Sequence, residues 1–498
     1  MLLDQYGKPM PTPAQRMVSQ RRQRRRAEIA AAYDAAQTTS ENAQHWRWAD
    51  SLSAAEANSS EIRRTIRERA RYEVANNSYA SGIVDTLSNT TIGTGPRLQM
   101  LTLSAEINAA IEIRWKQWCD QVRLAEKLRT AHRARTVDGE SFIQFTTNPR
   151  AARATTPVSL DLQVLECDQF EDVNQSQTPE HTAGIHFDAY RNPVRYDMLR
   201  YHPGDAFAGW QQAEPVDADD LIHMFRCDRP GQIRGISALT PALPLFAKLR
   251  RFTLAVLIGA EVAADHAAVL ETQGPPMDDE YGFDGDDLDP YDAAPIDRGM
   301  MTVLPRGWKL NQLKPEQPTT NFEMFRNAIL NEIARCLGMP FNVAAGTSKG
   351  MNYSSGQLDH GFFDDTTRVD RSTWTTNCLE RIFASWLDEA LLIPGYLPDL
   401  EGHNKYGLPH RFYWDGRTHG DPAKQAKATD TLSKLGLLTD EAYLIREGID
   451  PEEHHQQMLR QARRRREIAE IAGPPPVKPD PATPGADATK ASPKPVAA

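Results

Sequence analysis

Residues 344–356, "AAGTSKGMNYSSG", place one lysine and one tyrosine in a run of small and polar residues between two segments of helical spacing. Such a loop could cradle phosphate. A P-loop, however, needs G-x-x-x-x-G-K-[ST] directly after a strand, so that backbone N–H groups surround the phosphates. Here Lys349 is followed by Gly350 and Met351, and the preceding segment is helical. A second candidate is the acidic stretch 278–297, which carries nine acids and no base. Read as a calcium loop from Asp284, it has Asp289 where the turn glycine belongs and Pro295 where the bidentate glutamate belongs, so an EF-hand is excluded. The third is the pair His181 and His186. With no third ligand at a recognisable spacing, these read as strand or surface histidines and the chain is assigned no metal.

Around these positions stand 498 residues, 40% hydrophobic and 25% charged. That is an ordinary soluble composition with length for several domains. The longest apolar run, 252–260, is too short to span a bilayer, and the start "MLLDQYGKPMPTPAQR" has no apolar signal core. Cys119, Cys167, Cys227, Cys336 and Cys378 are scattered without a C-x-x-C pair, which argues for free thiols and synthesis in a reducing compartment. A net charge of −10 argues against tight wrapping of nucleic acid. The basic runs "RRQRRR", "EIRRTIRERAR" and "RRRR" read as solvated helix faces or flexible arms.

Apolar spacing predicts helices over 60–92, broken at "NNS", and around Ile107, Ile111, Trp115, Trp118 and Val122, where the tryptophan stripe reads as core. Between 139 and 228 the period shifts toward two, with Asn-Pro and Pro-Gly turns, predicting antiparallel strands. A long helix is expected from Thr240 as N-cap with Pro241 in its first turn. Its small residues Ala255, Gly259, Ala263 and Ala267 form one row, flanked by Ala260, Ala264 and Ala268, a face that lets a neighbouring backbone come close. "GMMTVLPRGWKLNQL" reads as a hairpin. Another helix opens at Thr320 with Glu323 completing a capping box and stops at Gly338 and Pro340. After the small-residue loop comes a helix from about Gly356, with Phe363, Val369, Cys378, Ile382, Trp386 and Ala390 as its apolar stripe. Residues 421–471 are helical with Thr439 as a cap, and the Pro- and Ala-rich 473–498 is expected to be disordered.

Five stretches, "RERARYEVANNSYASGIVDTLSNTTIGTG", "TVDGESF", "DLIHMFRCDRPGQIRGISAL", "MPFNVAAGTSKGMNYSSGQ" and "DPAKQAKA", resemble the lambda-type portal proteins of tailed phages. The resemblance spans most of 60–460, and "RPGQIRG" and "NYSS" are its most specific parts. It implies an α+β subunit that assembles as a homo-dodecameric ring at one capsid vertex, through which duplex DNA is packaged and ejected. It also implies an arginine-rich arm (1–59), a wing (60–239 and 357–420), stem helices (240–268 and 319–340), a small β-rich clip (269–318), a tunnel loop (341–356), a crown (421–472) and a disordered tail (473–498).

On that resemblance the tunnel loop would present Thr347, Ser348, Lys349, Gly350, Met351, Asn352 and Tyr353 to DNA, with Lys349 touching phosphate. The row Ala255, Gly259, Ala263 and Ala267 would pack subunit on subunit, and Asp284, Asp286, Asp287 and Asp289 would form the clip's docking surface. Implied partners are further copies of the chain, double-stranded DNA, the terminase large subunit, major capsid and scaffolding proteins, and head-completion or connector proteins. No membrane, cofactor or catalytic residue is implied. The location is the virion, reached through the host cytoplasm. A DNA-processing enzyme would need a Walker motif and paired acidic metal ligands on adjacent strands. The dense acids here lie instead in a Gly- and Pro-containing loop. A minor capsid or head-assembly adaptor without a channel accounts for the helices but not for the helix–clip–helix–loop order.

Overall fold

The computed structural model describes residues 17, 39–153, 155–170, 178–264, 268–272, 308–312, 320–398, 407–416 and 422–472. The clip aspartates Asp284, Asp286, Asp287 and Asp289, the run "RRQRRR", Ala267 and the Pro-rich tail lie outside them. Two compact units are present. In the small one, residues 1–57 with 229–231, Thr39 and Asn42 exchange backbone-to-side-chain hydrogen bonds of 2.7 and 3.2 Å, and Arg229 donates to the Leu52 carbonyl.

The large unit is α+β. Helices α1 (Ser60–Asn76) and α2 (Ser78–Ile92) are separated at Asn77. The Asn77 side chain accepts from the amides of Tyr79 and Ala80, so a single N-cap explains the break. Strand β1 (Arg97–Met100), α3 (Ala105–Val122) and α4 (Leu124–Asp138) follow. The antiparallel sheet β3-β2-β8 is built from β2 (Glu140–Thr147), β3 (Leu160–Leu165) and β8 (Leu221–Phe225). A second sheet contains β4 (His181–Thr182), β5 (Ile185–Phe187), β6 (Pro193–Met198) and β7 (Glu214–Asp217) in that order.

Helix α5 (Leu243–Ala264) then leads to β9 (Ala268–Thr272), which pairs with β10 (Trp308–Gln312) ahead of α6 (Thr320–Cys336). A short α7 (Phe341–Ala345) precedes α8 (Tyr353–Trp374), a π-turn at Thr375–Leu379 and α9 (Glu380–Leu392). Strand β11 (His410–Tyr413) pairs with β1, and α10 (Pro422–Lys434), α11 (Asp440–Arg446) and α12 (Pro451–Ala472) end the described chain.

Three cores hold this unit. Trp115 and Trp118 are buried with Trp374 and Trp386 between helices and the three-stranded sheet, as the tryptophan stripe predicts. Ala70, Ile83, Phe246, Leu330 and Ile333 join α1 and α2 to α5 and α6. Phe142, stacked at 3.9 Å on Phe170, sits between the two sheets with Ile185 and Tyr196. Thr439 caps α11 through the Ala442 amide as expected.

Several expectations shift. Helix α5 begins at Leu243, because the Thr240 hydroxyl donates to the Ser237 carbonyl 2.6 Å away and closes a turn there instead of capping. It ends at Ala264, so Ala268 belongs to a strand. Residues 308–312 pair with 268–272, on the far side of the acidic excursion, and the other arm of the expected hairpin lies outside the described residues. Val369 is exposed. It stands six residues from Phe363, about 240° around a helix of 3.6 residues per turn, and so falls on the other face. The long helix opens at Tyr353, where Asn352 and Ser355 form a reciprocal capping box.

Candidate functional site

The motifs at 67–71, 138–140 and 234–235 meet in a buried junction. Gly139 has φ +98°, and a Cβ on Gly235 would lie 2.1 Å from the Gly139 carbonyl oxygen. Both positions therefore need glycine, the first for its conformation and the second for its space. The close crossing brings Glu140 to Arg234, each 1% exposed. Arg234 Nε donates to both Glu140 oxygens at 3.1 and 2.9 Å, and its Nη1 donates to the carbonyls of Phe170 and Ala183, both at 2.7 Å. Glu140 also accepts from the Gly235 amide at 3.0 Å and lies 3.0 Å from His223 Nε2. Burial alone would raise the Glu140 carboxyl, but Arg234 and His223 hold it well below the usual carboxylate range.

Alongside, Arg71 forks onto Asp138 with two bonds of 2.8 Å and reaches Asp168, while Arg67 lies 3.0 Å from Asp168. The expectation that "EIRRTIRERAR" is a solvated face is corrected here. Arg63 and Arg67 are buried and Arg71 is half-buried, while Arg64 and Glu68 face solvent. A third polar anchor joins α4 to α8. Asp370 accepts from Arg135 at 2.6 Å and lies 2.9 Å from His132 Nε2. Burial raises the Asp370 carboxyl, and His132 and Arg135 overcome that and bring it down to about 2. His132 itself is lowered by burial.

The α5–α6 pair and its loop are built differently. Phe252 packs on Phe322 and Phe325 at 5.6 and 5.0 Å, and Leu249, Leu330 and Ile333 are buried beneath. On the outside Leu254, Leu257, Ile258, Met324 and Phe325 are each more than half exposed. Ala255 is exposed, and a Cβ on Gly259 would meet nothing within 4 Å. The small-residue row is thus uncovered within the subunit at both positions. On α8, Leu358, Phe362 and Val369 add a further exposed apolar face.

The loop itself is Gly346–Asn352, shorter than the sequence suggests, because α7 takes Phe341–Ala345 and Tyr353 is the first residue of α8. Gly346 and Gly350 adopt φ of +62° and +78°. The amides of Thr347, Lys349 and Met351 bond locally to Asn342 O, Thr347 Oγ1 and Ser348 O, so Thr347, Ser348, Lys349, Gly350 and Met351 form consecutive turns. Lys349 Nζ lies 2.7 and 2.9 Å from the two carboxylate oxygens of Glu323 in the first turn of α6. That hydrogen bond is the main reason the Glu323 carboxyl sits lower than usual. Glu323 thus pairs with Lys349, while the side chain of Thr320, its expected capping-box partner, lies outside the described residues. Tyr353 is exposed, with Lys424 Nζ 5.0 Å from its ring centre.

Sequence reasoning missed one constellation. His181 and His186 are direct cross-strand partners, and Asp197 on β6 supplies the third group. Asp197 Oδ2 lies 2.9 Å from His181 Nε2, and Oδ1 lies 2.8 Å from His186 Nε2. The signal was present in "HTAGIH". A two-residue hairpin turn at Ala183-Gly184, both with positive φ, puts residues five apart face to face. Asp197, sixteen residues from His181 along the chain, gives no local sign. A second acidic group, Glu166, Asp168 and His202, is engaged by Arg71, and Arg67 also lies on Asp168.

Among the described residues, no helix is long and apolar enough to cross a membrane. A probable portal protein of Halomonas phage phiHAP-1 is 25% identical over 431 residues, covering 80% of each chain. The portal protein of Escherichia phage N15 is 23% identical over 299 residues, covering 53% of this chain and 56% of its own. Among solved structures, a chain from the virion of a native gene transfer agent particle is similar at a TM-score of 0.41 and 14% identity, over 77% of this chain and 93% of that one. A chain from the neck of the native particle gives 0.42 and 14%, over 76% and 92%. The family described as phage portal protein, lambda family, matches residues 41–371, a span holding the buried junction, both paired helices and the Lys349 loop. The chain therefore belongs to the lambda family of phage portal proteins.

Proposed function

We propose that copies of this chain close into a ring, a dodecamer, that forms the DNA channel at one vertex of a phage capsid. The observation that carries this reading is the apolar outer face of the α5–α6 pair, with Leu254, Leu257, Ile258, Met324 and Phe325 exposed. A solitary subunit would leave that face in water. Each half-exposed side chain that a neighbour covers contributes about 1 kcal/mol, and a closed ring covers every such face with no unpaired edge. In this ring α5 and α6 are the stem, the acidic excursion is the clip that receives the terminase large subunit and connector proteins, and the wing meets the capsid and scaffolding proteins.

The Gly346–Asn352 loop, set between the stem and α8, faces the duplex. Duplex DNA carries about one charge per 1.7 Å, so firm phosphate contacts would hinder its passage. Lys349, shared between Glu323 and phosphate, gives a contact that forms and releases as DNA moves. The experiment is assembly of heads with the loop shortened to glycines. Packaging begins and the packaged DNA slips back if the loop retains it. Unchanged retention would remove the loop from this role, and failure to form rings would make it a structural element.

A further inference from the structure

We infer that His181, His186 and Asp197 form a binding site for a divalent transition-metal ion of the zinc type on the four-stranded sheet of the wing. The pleat sets the geometry. His181 opposes His186, His186 opposes Arg195, and Asp197 lies two residues beyond Arg195, so all three donors are on one face. The two imidazoles stack with ring centres 4.1 Å apart and planes 10° from parallel, and both present Nε2 to the same carboxylate. All three donor atoms lie within 4.8 Å of one another. Metal–donor bonds of about 2.0–2.1 Å in a tetrahedral site put donors about 3.3 Å apart. The Nε2–oxygen distances of 2.8 and 2.9 Å need to open by only a few tenths of an ångström.

The backbone carrying the donors is fixed from several sides. The His181 amide donates to Thr178, the Asp197 amide donates to the Gly184 carbonyl at 2.9 Å, and buried Arg234 holds the Ala183 carbonyl in the turn. The site thus hangs directly from the Glu140–Arg234 junction. Side-chain exposures of 15, 36 and 11% leave an approach past His186 and room for a fourth, solvent-derived ligand. Two imidazoles and one carboxylate suit zinc, nickel, cobalt or copper, whereas magnesium and calcium prefer oxygen ligands throughout.

Charge separates this cluster from its neighbour. Glu166, Asp168 and His202 are already engaged by the guanidinium of Arg71, with Arg67 also on Asp168, which leaves little for a cation. Beside His181 and His186, Arg195, the cross-strand partner of His186, has its Nε directed to Asp217 at 3.0 Å. Both Nε2 atoms lie within hydrogen-bond distance of the Asp197 carboxylate. Ligation through Nε2 requires each imidazole to be neutral with its proton on Nδ1.

The test is isothermal titration of the full chain with ZnCl2, run beside MgCl2, on the parent and on His186→Ala and Asp197→Asn. The parent should bind one more zinc per subunit than His186→Ala, and zinc should raise its melting temperature by more. Asp197→Asn should bind at least about tenfold more weakly. Cobalt should give visible ligand-field bands in the parent that His186→Ala lacks, and far-UV circular dichroism confirms that the variants are folded. If Asp197→Asn does not fold, His186→Gln replaces it. Equal zinc stoichiometry and equal cobalt spectra in the parent and His186→Ala would overturn the site, as would no zinc uptake by the parent.

Discussion

The Glu140–Arg234 junction and the α5–α6 pair solve opposite problems with the same kinds of residues. At the junction, the charged groups of Glu140 and Arg234 are buried and bonded to each other. Glu140 is bonded by Arg234 and the Gly235 amide with His223 beside it, and Arg234 is shared with two carbonyls. On the stem, apolar groups are left in water, and the ion pair between Lys349 and Glu323 lies on the surface. A buried, mutually bonded pair fixes one conformation, whereas an uncovered apolar face leaves room for a partner. The junction is thus complete within one subunit, whereas the outer face of the α5–α6 pair is not covered by it.

The largest effect should come from breaking the junction. Arg234→Met should destabilise the wing by about 3–5 kcal/mol, because Glu140 would be left buried and uncompensated. Replacing both partners with apolar residues restores stability in a simple buried pair. Here the double variant should recover little, since the Gly235 amide and the Phe170 and Ala183 carbonyls would lose their partners too. Denaturant melts of Arg234→Met, Glu140→Leu and the double variant decide this. Full recovery in the double variant would reduce the junction to an ordinary ion pair.

Next in size is the stem. Gly259→Leu and Ala255→Leu should leave circular dichroism and melting unchanged in the isolated subunit, because both positions are open there. In the ring each should cost about 1–3 kcal/mol per interface by overpacking. Native mass spectrometry should then show the loss of closed rings. A lowered subunit melting point would instead place those residues in the subunit's own core.

A titration sharpens the contrast at the helical anchor. Asp370 is held at about 2 against an ordinary 3.8, so it contributes stability above pH 3.8 that is lost as pH falls toward 2. His132 is lowered by burial, so its contribution is present above its ordinary 6.5 and falls away as acid forces a proton onto it. Asp370→Asn should therefore cost on the order of 2 kcal/mol at pH 7 and almost nothing at pH 2, measured by urea unfolding across that range. A pH-independent cost would mean that the carboxylate's charge is irrelevant and only its shape counts.

How far the sequence reveals this division depends on distance along the chain. The Asn77 break, the Trp115–Trp118 core, the wing strands and the Thr439 cap follow from neighbours a few residues apart. The pairing of 268–272 with 308–312 does not, because the acidic excursion separates them. Arg63 and Arg67 look like members of a solvated charge run because Asp168, the partner of Arg67, lies about a hundred residues later. Asp197 escapes notice for the same reason, although "HTAGIH" already fixes its two partners. The exposed stem face was legible in kind, since small and apolar residues share one helix. Only the structure separates Phe252, Val256 and Leu330, which serve the fold, from Leu254, Leu257 and Ile258, which do not.

The smallest expected effects lie at the loop, and they have opposite signs. Lys349→Ala should leave fold and ring intact and modestly weaken retention of packaged DNA, with a shallower salt dependence. Glu323→Gln, which frees the same lysine, should strengthen retention and steepen that dependence. Nuclease-protected DNA length over time reads both, and changes of the same sign in the two variants would disconnect the pair from DNA.

The division between a self-sufficient junction and an uncovered α5–α6 face is tested most directly by imaging and weighing one purified pair of proteins. The parent chain and the triple variant Leu254→Glu, Leu257→Glu, Ile258→Glu are compared by native mass spectrometry and negative-stain microscopy, with circular dichroism on the same samples. The account predicts closed rings for the parent, and monomers with unchanged secondary structure and melting for the variant. Rings of normal size in the variant, or a parent that stays monomeric under the same conditions, would contradict it.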